Sequence, residues 1–261
     1  MANNDRMLKE ERQQLILEVI QKQKRVTVPE LSSMFGISEV TIRRDLHDLV
    51  VSGKLQRTHR GAIEALPAPP EPPVIQRMAH AAENKQNIAH AAAGMIAEGD
   101  SVFLGSGSTV MLLARELAAH PMRLTVVTNA LNIAMELASE GDLITVVLTG
   151  GVLRGAELSV LGHITEESLQ EVRFDKVFMG AQALSVDGGW STEHMPEVPT
   201  TRRIIDMSPQ LILLVDHTKL DRRAAAFIAP ITRINVLITD TDADPGFVAR
   251  VQSAGVHIVQ V

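Results

Sequence analysis

The chain contains no cysteine. That excludes disulfide frameworks, thiol nucleophiles and thiolate metal sites together. Its nine histidines never stand in an H-x-x-x-H pair, so a helical two-histidine metal site is excluded as well. No stretch supplies the roughly 18 uninterrupted apolar residues of a membrane-spanning helix. The opening MANNDRMLKEERQQ is charged and polar, without the apolar centre of a signal peptide, so a cytoplasmic location is expected and no membrane partner. What remains is a chain of 261 residues, longer than one typical domain, whose 45% hydrophobic content is enough for a sizeable core.

Residues 27 to 61, TVPELSSMFGISEVTIRRDLHDLVVSGKLQRTHRG, are the most informative. Thr27 and Glu30 have the spacing of a capping box, and the helix they open carries Leu31, Met34 and Phe35 before Gly36 ends it. Ser38 is suited to cap a second helix in which Val40, Leu46, Leu49 and Val50 form an apolar stripe, with Thr41, Arg43, Arg44 and His47 largely off it. Gly53 turns the chain into KLQRTHRGAI, a two-stranded basic hairpin carrying Lys54, Arg57, His59 and Arg60. Helix, turn, basic helix and basic hairpin in this order make a winged helix-turn-helix. The major groove of DNA admits an α-helix whose N-terminal residues reach base edges, and arginine grips guanine or phosphate. Ser38, Thr41, Arg43 and Arg44 stand where such a helix enters. Arg57, His59 and Arg60 reach the neighbouring backbone or minor groove. The bland alternative for the arginine pair alone is a solvated helix face.

The run VTIRRDLHDLVVSGKLQRTHRGA resembles the signature of the DeoR family of bacterial transcriptional regulators, a TIRRDL recognition helix followed by a wing reading R-x-H-G-G-A. This sequence places Arg60 where the family usually has the first glycine of that pair. Charge distribution fits the same assignment. Residues 1 to 62 hold 11 Lys+Arg against 8 Asp+Glu, a net of +3, while the rest holds 14 against 23, a net of −9. Only the front of the chain is attractive to a polyanion, a bias that salt mutes beyond roughly 8 Å.

LPAPPEPP at residues 66 to 73 reads as a semi-rigid polyproline spacer of about 3 Å per residue. The alternative is a loop packed on one compact domain. The expected division is a DNA-binding domain over residues 1–63, a proline-rich linker over 64–73 and an effector-sensing domain over 74–261. In the last of these, helical segments alternate with the apolar runs SVFLG (101–105), LTVVT (124–128), ITVVLTG (144–150), KVFMG (176–180), LILLVD (211–216) and INVLITD (234–240). Runs so uniformly apolar belong to a parallel sheet covered on both faces, hence an α/β, doubly wound, mostly parallel-sheet fold.

Sites in such sheets lie beyond the carboxyl ends of the strands. Gly105, Ser106, Gly107, Ser108 and Thr109 follow the first run and open a helix. Small residues there let backbone N–H groups converge on an anion, which the helix N-terminus also favours. The loop has neither the lysine of a P-loop nor the G-x-G-x-x-G spacing of a dinucleotide site, and a purely structural βα turn is the competing reading. Other strand ends add Thr128 and Asn129, then Thr149, Gly150 and Gly151 with Arg154, then Asp216 and Lys219. Lys219 neutralises phosphate in this reading, while Asp216 or Asn129 takes sugar hydroxyls. For the Thr-Asn and Asp-His pairs, helix capping is an equal alternative.

VTNALNIA, LTGGVLRGAELSVLG, DKVFMGAQALS, TRRIIDMS and LLVDHTKL resemble the successive motifs of the DeoR-type sensor domain, which is similar in fold to ribose-5-phosphate isomerase. The resemblance, running from Arg12 to the last strand, implies phosphate contacts from GSGST and Lys219 and sugar hydroxyl contacts from Glu197. An exposed loop carboxylate is the other reading of Glu197. The related enzymes use acidic residues around a D-G-A-D segment, where this chain has Met179, Gly180, Ala181 and Gln182. Neither Met nor Gln can carry that proton chemistry. The expectation is therefore a DNA-binding regulator and not an enzyme, most often a repressor in this family. Its operator is double-stranded DNA and its effector a phosphorylated sugar, with no cofactor and no metal. A cytoplasmic, nucleoid-associated homodimer or homotetramer follows, because paired recognition helices double the contacts of one. A sugar-phosphate isomerase carrying a DNA-binding domain is the alternative.

Overall fold

The computed structural model describes residues 9–23, 25–51, 55–58, 61–64, 71–139, 141, 143–170, 172–207 and 209–261. Two compact units divide the chain, Met1–Leu66 and Pro67–Val261.

The first unit runs α1 (Lys9–Gln23), β1 (Arg25–Thr27), α2 (Val28–Phe35), α3 (Glu39–Val51), β2 (Leu55–Thr58) and β3 (Gly61–Glu64). The capping box at Thr27 is formed: its N–H donates to Glu30 Oε2 at 2.7 Å, and the Glu30 N–H donates to Thr27 Oγ1 at 3.4 Å. Gly36 ends α2 in the left-handed conformation at φ 65° and ψ 30°, a region that costs glycine nothing. Ser38 Oγ accepts from the Thr41 N–H at 3.3 Å, as an N-cap does.

The buried stripe of α3 differs from the expected one. Ile42, Leu46 and Leu49 are buried at helical spacing, whereas Val40 is 72% exposed. Val40 precedes Ile42 by two residues, about 200° around the helix, and so points the other way. In α2, likewise, Val28, Leu31 and Phe35 face the core and Met34 is exposed. With Ile16, Ile20, Val26 and Leu55 these residues form one small core. The carboxylate of Asp45 is buried in α3 and paired with the Arg12 guanidinium of α1, whose Nη2 donates to Oδ1 at 3.0 Å. Strands β1, β3 and β2 make an antiparallel sheet in that order, with Thr58 opposite Gly61. Lys54, His59 and Arg60 lie outside the described residues, and so does the Arg57 side chain, although its backbone pairs with Ala62.

The second unit comprises α4 (Val74–Arg77), α5 (Ala82–Ala93), β4 (Ser101–Leu104), α6 (Ser108–Ala119), β5 (Leu124–Thr128), α7 (Leu131–Leu137), β6 (Ile144–Leu148), β7 (Val152–Arg154), β8 (Ser159–Leu161), α8 (His163–Ser168), β9 (Lys176–Gly180), β10 (Ala183–Ser185), β11 (Gly189–Thr192), α9 (Val198–Ile205), β12 (Leu211–Leu214), β13 (Ala226–Ala229), β14 (Val236–Thr239), α10 (Pro245–Ser253) and β15 (His257–Gln260). Seven strands form a parallel sheet ordered β15-β14-β12-β9-β4-β5-β6. All six apolar runs supply strands of it, and β15, beside β14, is the seventh.

Successive residues alternate between the two faces. Phe103, Val177, Leu211 and Leu213 pack with α9, α10 and the antiparallel β10-β11-β13 sheet, while Val102, Leu104, Phe178 and Ile212 pack with α5, α6 and α7. Burial of large apolar side chains fails at the edge of this sheet. Strand β6 ends the order, and its Val147 and Leu148 are exposed despite their apolarity. Chain order runs outward from β4 to β6 in one direction and from β9 to β15 in the other, so the direction reverses between β4 and β9. A crevice forms at such a reversal, outside the carboxyl ends of the strands. Among the described residues, no helix is long and apolar enough to cross a membrane.

Candidate functional site

In the first unit, Ser38, Arg43 and Arg44 are exposed and Thr41 is half-buried on α3. With Val40 and His47 the two arginines occupy positions 40, 43, 44 and 47, the i, i+3, i+4, i+7 spacing of one helix face. Arg43 Nη2 donates to Glu39 Oε2 at 3.0 Å, an exposed i, i+4 pair of little energetic weight that a phosphate or base can displace. Val40 belongs to this face, and sequence reasoning misassigned it to the core; it adds an apolar group of the kind that reads a thymine methyl.

In the second unit, a cavity with about 70 Å³ of interior volume opens at the β4/β9 reversal. Ser106, Gly107, Ser108 and Thr109 form one wall at the start of α6. Gly107 takes φ 129°, a conformation that L side chains rarely adopt, and no side chain caps the helix behind it. The first-turn N–H groups are thereby left for a ligand. Asn129 lines the cavity from the end of β5; its Nδ2 donates to the Val160 carbonyl at 3.1 Å, while its Oδ1 is buried without a partner. A buried carbonyl oxygen left unpaired is costly unless something donates to it. Met179, Gly180, Ala181 and Gln182 form the wall at the end of β9, and Trp190 lies beside them.

Arg154, Glu197, Asp216 and Lys219 also line the cavity. Arg154 and Glu197 form an ion pair. Burial pushes the Glu197 carboxyl above its ordinary pKa, with Arg154 pulling the other way. Burial and, after it, the Arg154 charge lower the His194 imidazole nearby. The Asp216 carboxylate accepts from the Thr218 N–H at 3.1 Å and caps the short turn His217–Lys219, so its structural duty is met whether or not it also meets a ligand.

Five expected residues stand elsewhere. Thr128 is fully buried; its hydroxyl donates to the Leu104 carbonyl at 2.6 Å and accepts from the Ala130 N–H at 3.0 Å, stapling β4 to β5. Gly150 and Gly151 pack against α8, where a Cβ would strike Ile164 or Thr165, and the Thr165 hydroxyl donates to the Gly150 carbonyl at 2.6 Å. The Thr149 hydroxyl beside them is buried outside the cavity wall. Gly105 closes the strand ladder, its N–H donating to the Phe178 carbonyl at 2.9 Å, and Met179 fills the space a Cβ would need.

Three charged cavity residues had no sequence signal of their own: Glu71, Arg77 and Glu157. Arg77 Nη2 donates to Glu157 Oε1 at 2.6 Å, and Nη1 donates to Glu71 Oε1 at 3.0 Å. Burial, ahead of the opposing Arg77 charge, raises the Glu157 pKa. Beneath them Lys85 is buried, donates to the Arg77 and His80 carbonyls, and has its pKa lowered first by that burial.

The DeoR-like helix-turn-helix domain matches residues 12–65, and the DeoR C terminal sensor domain matches residues 80–241. The chain belongs to the DeoR family of transcriptional regulators. Relatives include the HTH-type transcriptional regulator YulB of Bacillus subtilis, 34% identical over 98% of both chains. The HTH-type transcriptional regulator GlpR of Haloferax volcanii is 33% identical over 97% of this chain and 98% of its own. The glycerol-3-phosphate regulon repressor of Escherichia coli is 34% identical over 86% of this chain and 88% of its own. Among solved structures, ribose 5-phosphate isomerase A from Neisseria gonorrhoeae shares 16% identity over 53% of each chain at a TM-score of 0.40. As a DeoR-family member the protein is a DNA-binding transcriptional regulator with a sensor domain. The parallel sheet of the sensor domain is the architecture expected from its apolar runs.

Proposed function

We propose that this regulator represses a carbohydrate catabolic operon, and that a phosphorylated sugar bound in the second unit lowers its affinity for operator DNA. The observation that carries the reading is the cavity at the β4/β9 reversal, where an uncapped helix N-terminus, Arg77 and Lys219 surround one small polar space. In this reading the N–H and hydroxyl groups of residues 106–109 and the Lys219 ammonium hold phosphate, while Asn129 Oδ1, Glu197 and Asp216 accept from sugar hydroxyls. Ser38, Thr41, Arg43 and Arg44 read the operator, and Arg57, His59 and Arg60 support them from the wing. The protein acts as a cytoplasmic, nucleoid-associated homodimer or homotetramer, since symmetric operators reward paired recognition helices.

The pocket binds without turnover and needs no cofactor. Met179 and Gln182 cannot shuttle a proton between carbons, and Glu197 is engaged by Arg154. Trp190, the chain's single tryptophan in a sequence without tyrosine, lines the cavity and gives a direct optical signal. Titrating pentose, hexose and triose phosphates against its fluorescence, with a product assay on each that binds, is expected to reveal a ligand and no product. Isomerised product would support the enzyme alternative; silence from every phosphorylated sugar would remove the effector class.

A further inference from the structure

The cavity already receives an anion from its own chain. Glu71 Oε1 accepts from Arg77 Nη1 at 3.0 Å and from Lys219 Nζ at 2.9 Å, so one carboxylate oxygen bridges two cations. Its side chain is only 11% exposed. Glu71 comes from the proline-rich segment, five positions beyond Leu66, the last residue of the first unit. Pro72 and Pro73 follow it, and the Val74 N–H donates to the Ala156 carbonyl at 2.8 Å, which anchors the segment on the cavity side. The other terminal nitrogen of the Arg77 guanidinium, Nη2, is held by Glu157, so Arg77 keeps its place whatever Glu71 does.

We propose that Glu71 is a tethered anion, and that a phosphomonoester binds by displacing its carboxylate from Arg77 and Lys219. This rests on the phosphate reading above and adds the subsite, the residue Arg77 and the competitor. The two anions compete on different terms: a phosphate dianion carries more charge and more acceptor oxygens than a carboxylate, whereas the tether gives Glu71 a high effective concentration. Linkage then runs both ways: phosphate unseats the Glu71 carboxylate, and whatever seats Glu71 weakens phosphate.

The test uses the full chain and inorganic phosphate as probe, with binding read by calorimetry and Trp190 fluorescence and the Glu71 amide followed by hydrogen exchange. If Glu71 fills the subsite about nine-tenths of the time, Glu71→Gln tightens phosphate about tenfold, since apparent affinity scales with the competent fraction. Phosphate also speeds exchange at the Glu71 amide of the unaltered protein, and Lys219→Met abolishes binding. Should Glu71→Gln not fold, Glu71→Asp withdraws the carboxylate by one methylene and is expected to tighten binding to a smaller degree. Equal phosphate affinity in the unaltered and Glu71-substituted proteins overturns the competition while leaving the phosphate site intact. Tighter binding without faster exchange at residue 71 also overturns it, because charge at a distance then suffices. Phosphate binding to neither protein defeats the phosphate reading and this inference together.

Discussion

At the scale of single residues, exposure and pairing separate those proposed to read DNA from those that hold the fold. Arg43 and Arg44 are exposed on α3, so Arg43→Ala and Arg44→Ala are expected to change folding stability by no more than about 0.5 kcal/mol. Each is expected to weaken operator binding by about 1–3 kcal/mol, read by mobility shift beside a thermal melt. Asp45, two residues away but buried against Arg12, behaves oppositely. Asp45→Ala strands a partly buried guanidinium and is expected to cost about 3 kcal/mol in denaturant unfolding. Gly107 makes a poor probe of the anion site: its φ of 129° adds backbone strain to any charge introduced there, whereas Lys219→Met removes a cation without disturbing the main chain. Glu197 sets a pH signature. Its folded pKa lies above the ordinary value of 4.5 because of burial, so the folded chain takes up this proton first as pH falls. The group therefore favours folding more as pH drops through its folded pKa, and the gain is complete below 4.5, where both states are protonated. Replacing it with glutamine is expected to flatten that part of the melting-temperature profile.

At the scale of elements, the helix-turn-helix was legible because its signals are local. Thr27, Glu30, Gly36 and Ser38 act on backbone groups within a few residues of themselves, and each does what its chemistry dictates. The face assignment was less secure: Val40 is apolar and adjacent to the stripe in sequence, yet geometry turns it outward with the arginines. Accordingly, Ile42→Ala is expected to destabilise by about 2–5 kcal/mol, while Val40→Ala leaves the melt unchanged and shifts preference at a single operator base pair. The sheet strands were legible from their continuous apolarity, and the exception at β6 follows from its edge position, which sequence does not encode. The loops proposed to bind an anion were only partly legible. Residues 106–109 of GSGST lead into α6 and line the cavity, whereas the similar-looking Thr149-Gly150-Gly151 run serves helix packing. Small polar residues after a strand are equally suited to both tasks, and only the fold decides between them. Glu71 and Arg77 left no trace because their meaning depends on contacts such as that between residues 71 and 219, 148 positions apart.

At the scale of the whole molecule, labour divides along the chain. Residues 1 to 62 carry a net of +3 and the remainder a net of −9, so the sign of the charge alone directs a polyanion to the front. A regulator needs its two sites coupled, and coupling requires a ligand to bind the DNA-competent and DNA-incompetent states with different affinity. A coupling free energy of about 1–3 kcal/mol is typical and changes operator affinity roughly 5–150-fold. The most direct measurement is the affinity of the full-length protein for its own promoter, taken at fixed salt with and without each of a panel of phosphorylated sugars. One of them is expected to weaken promoter binding at least fivefold, roughly the lower end of that range, and to emerge chemically unchanged. Promoter affinity indifferent to the entire panel, or no greater than affinity for random duplex, would contradict the account.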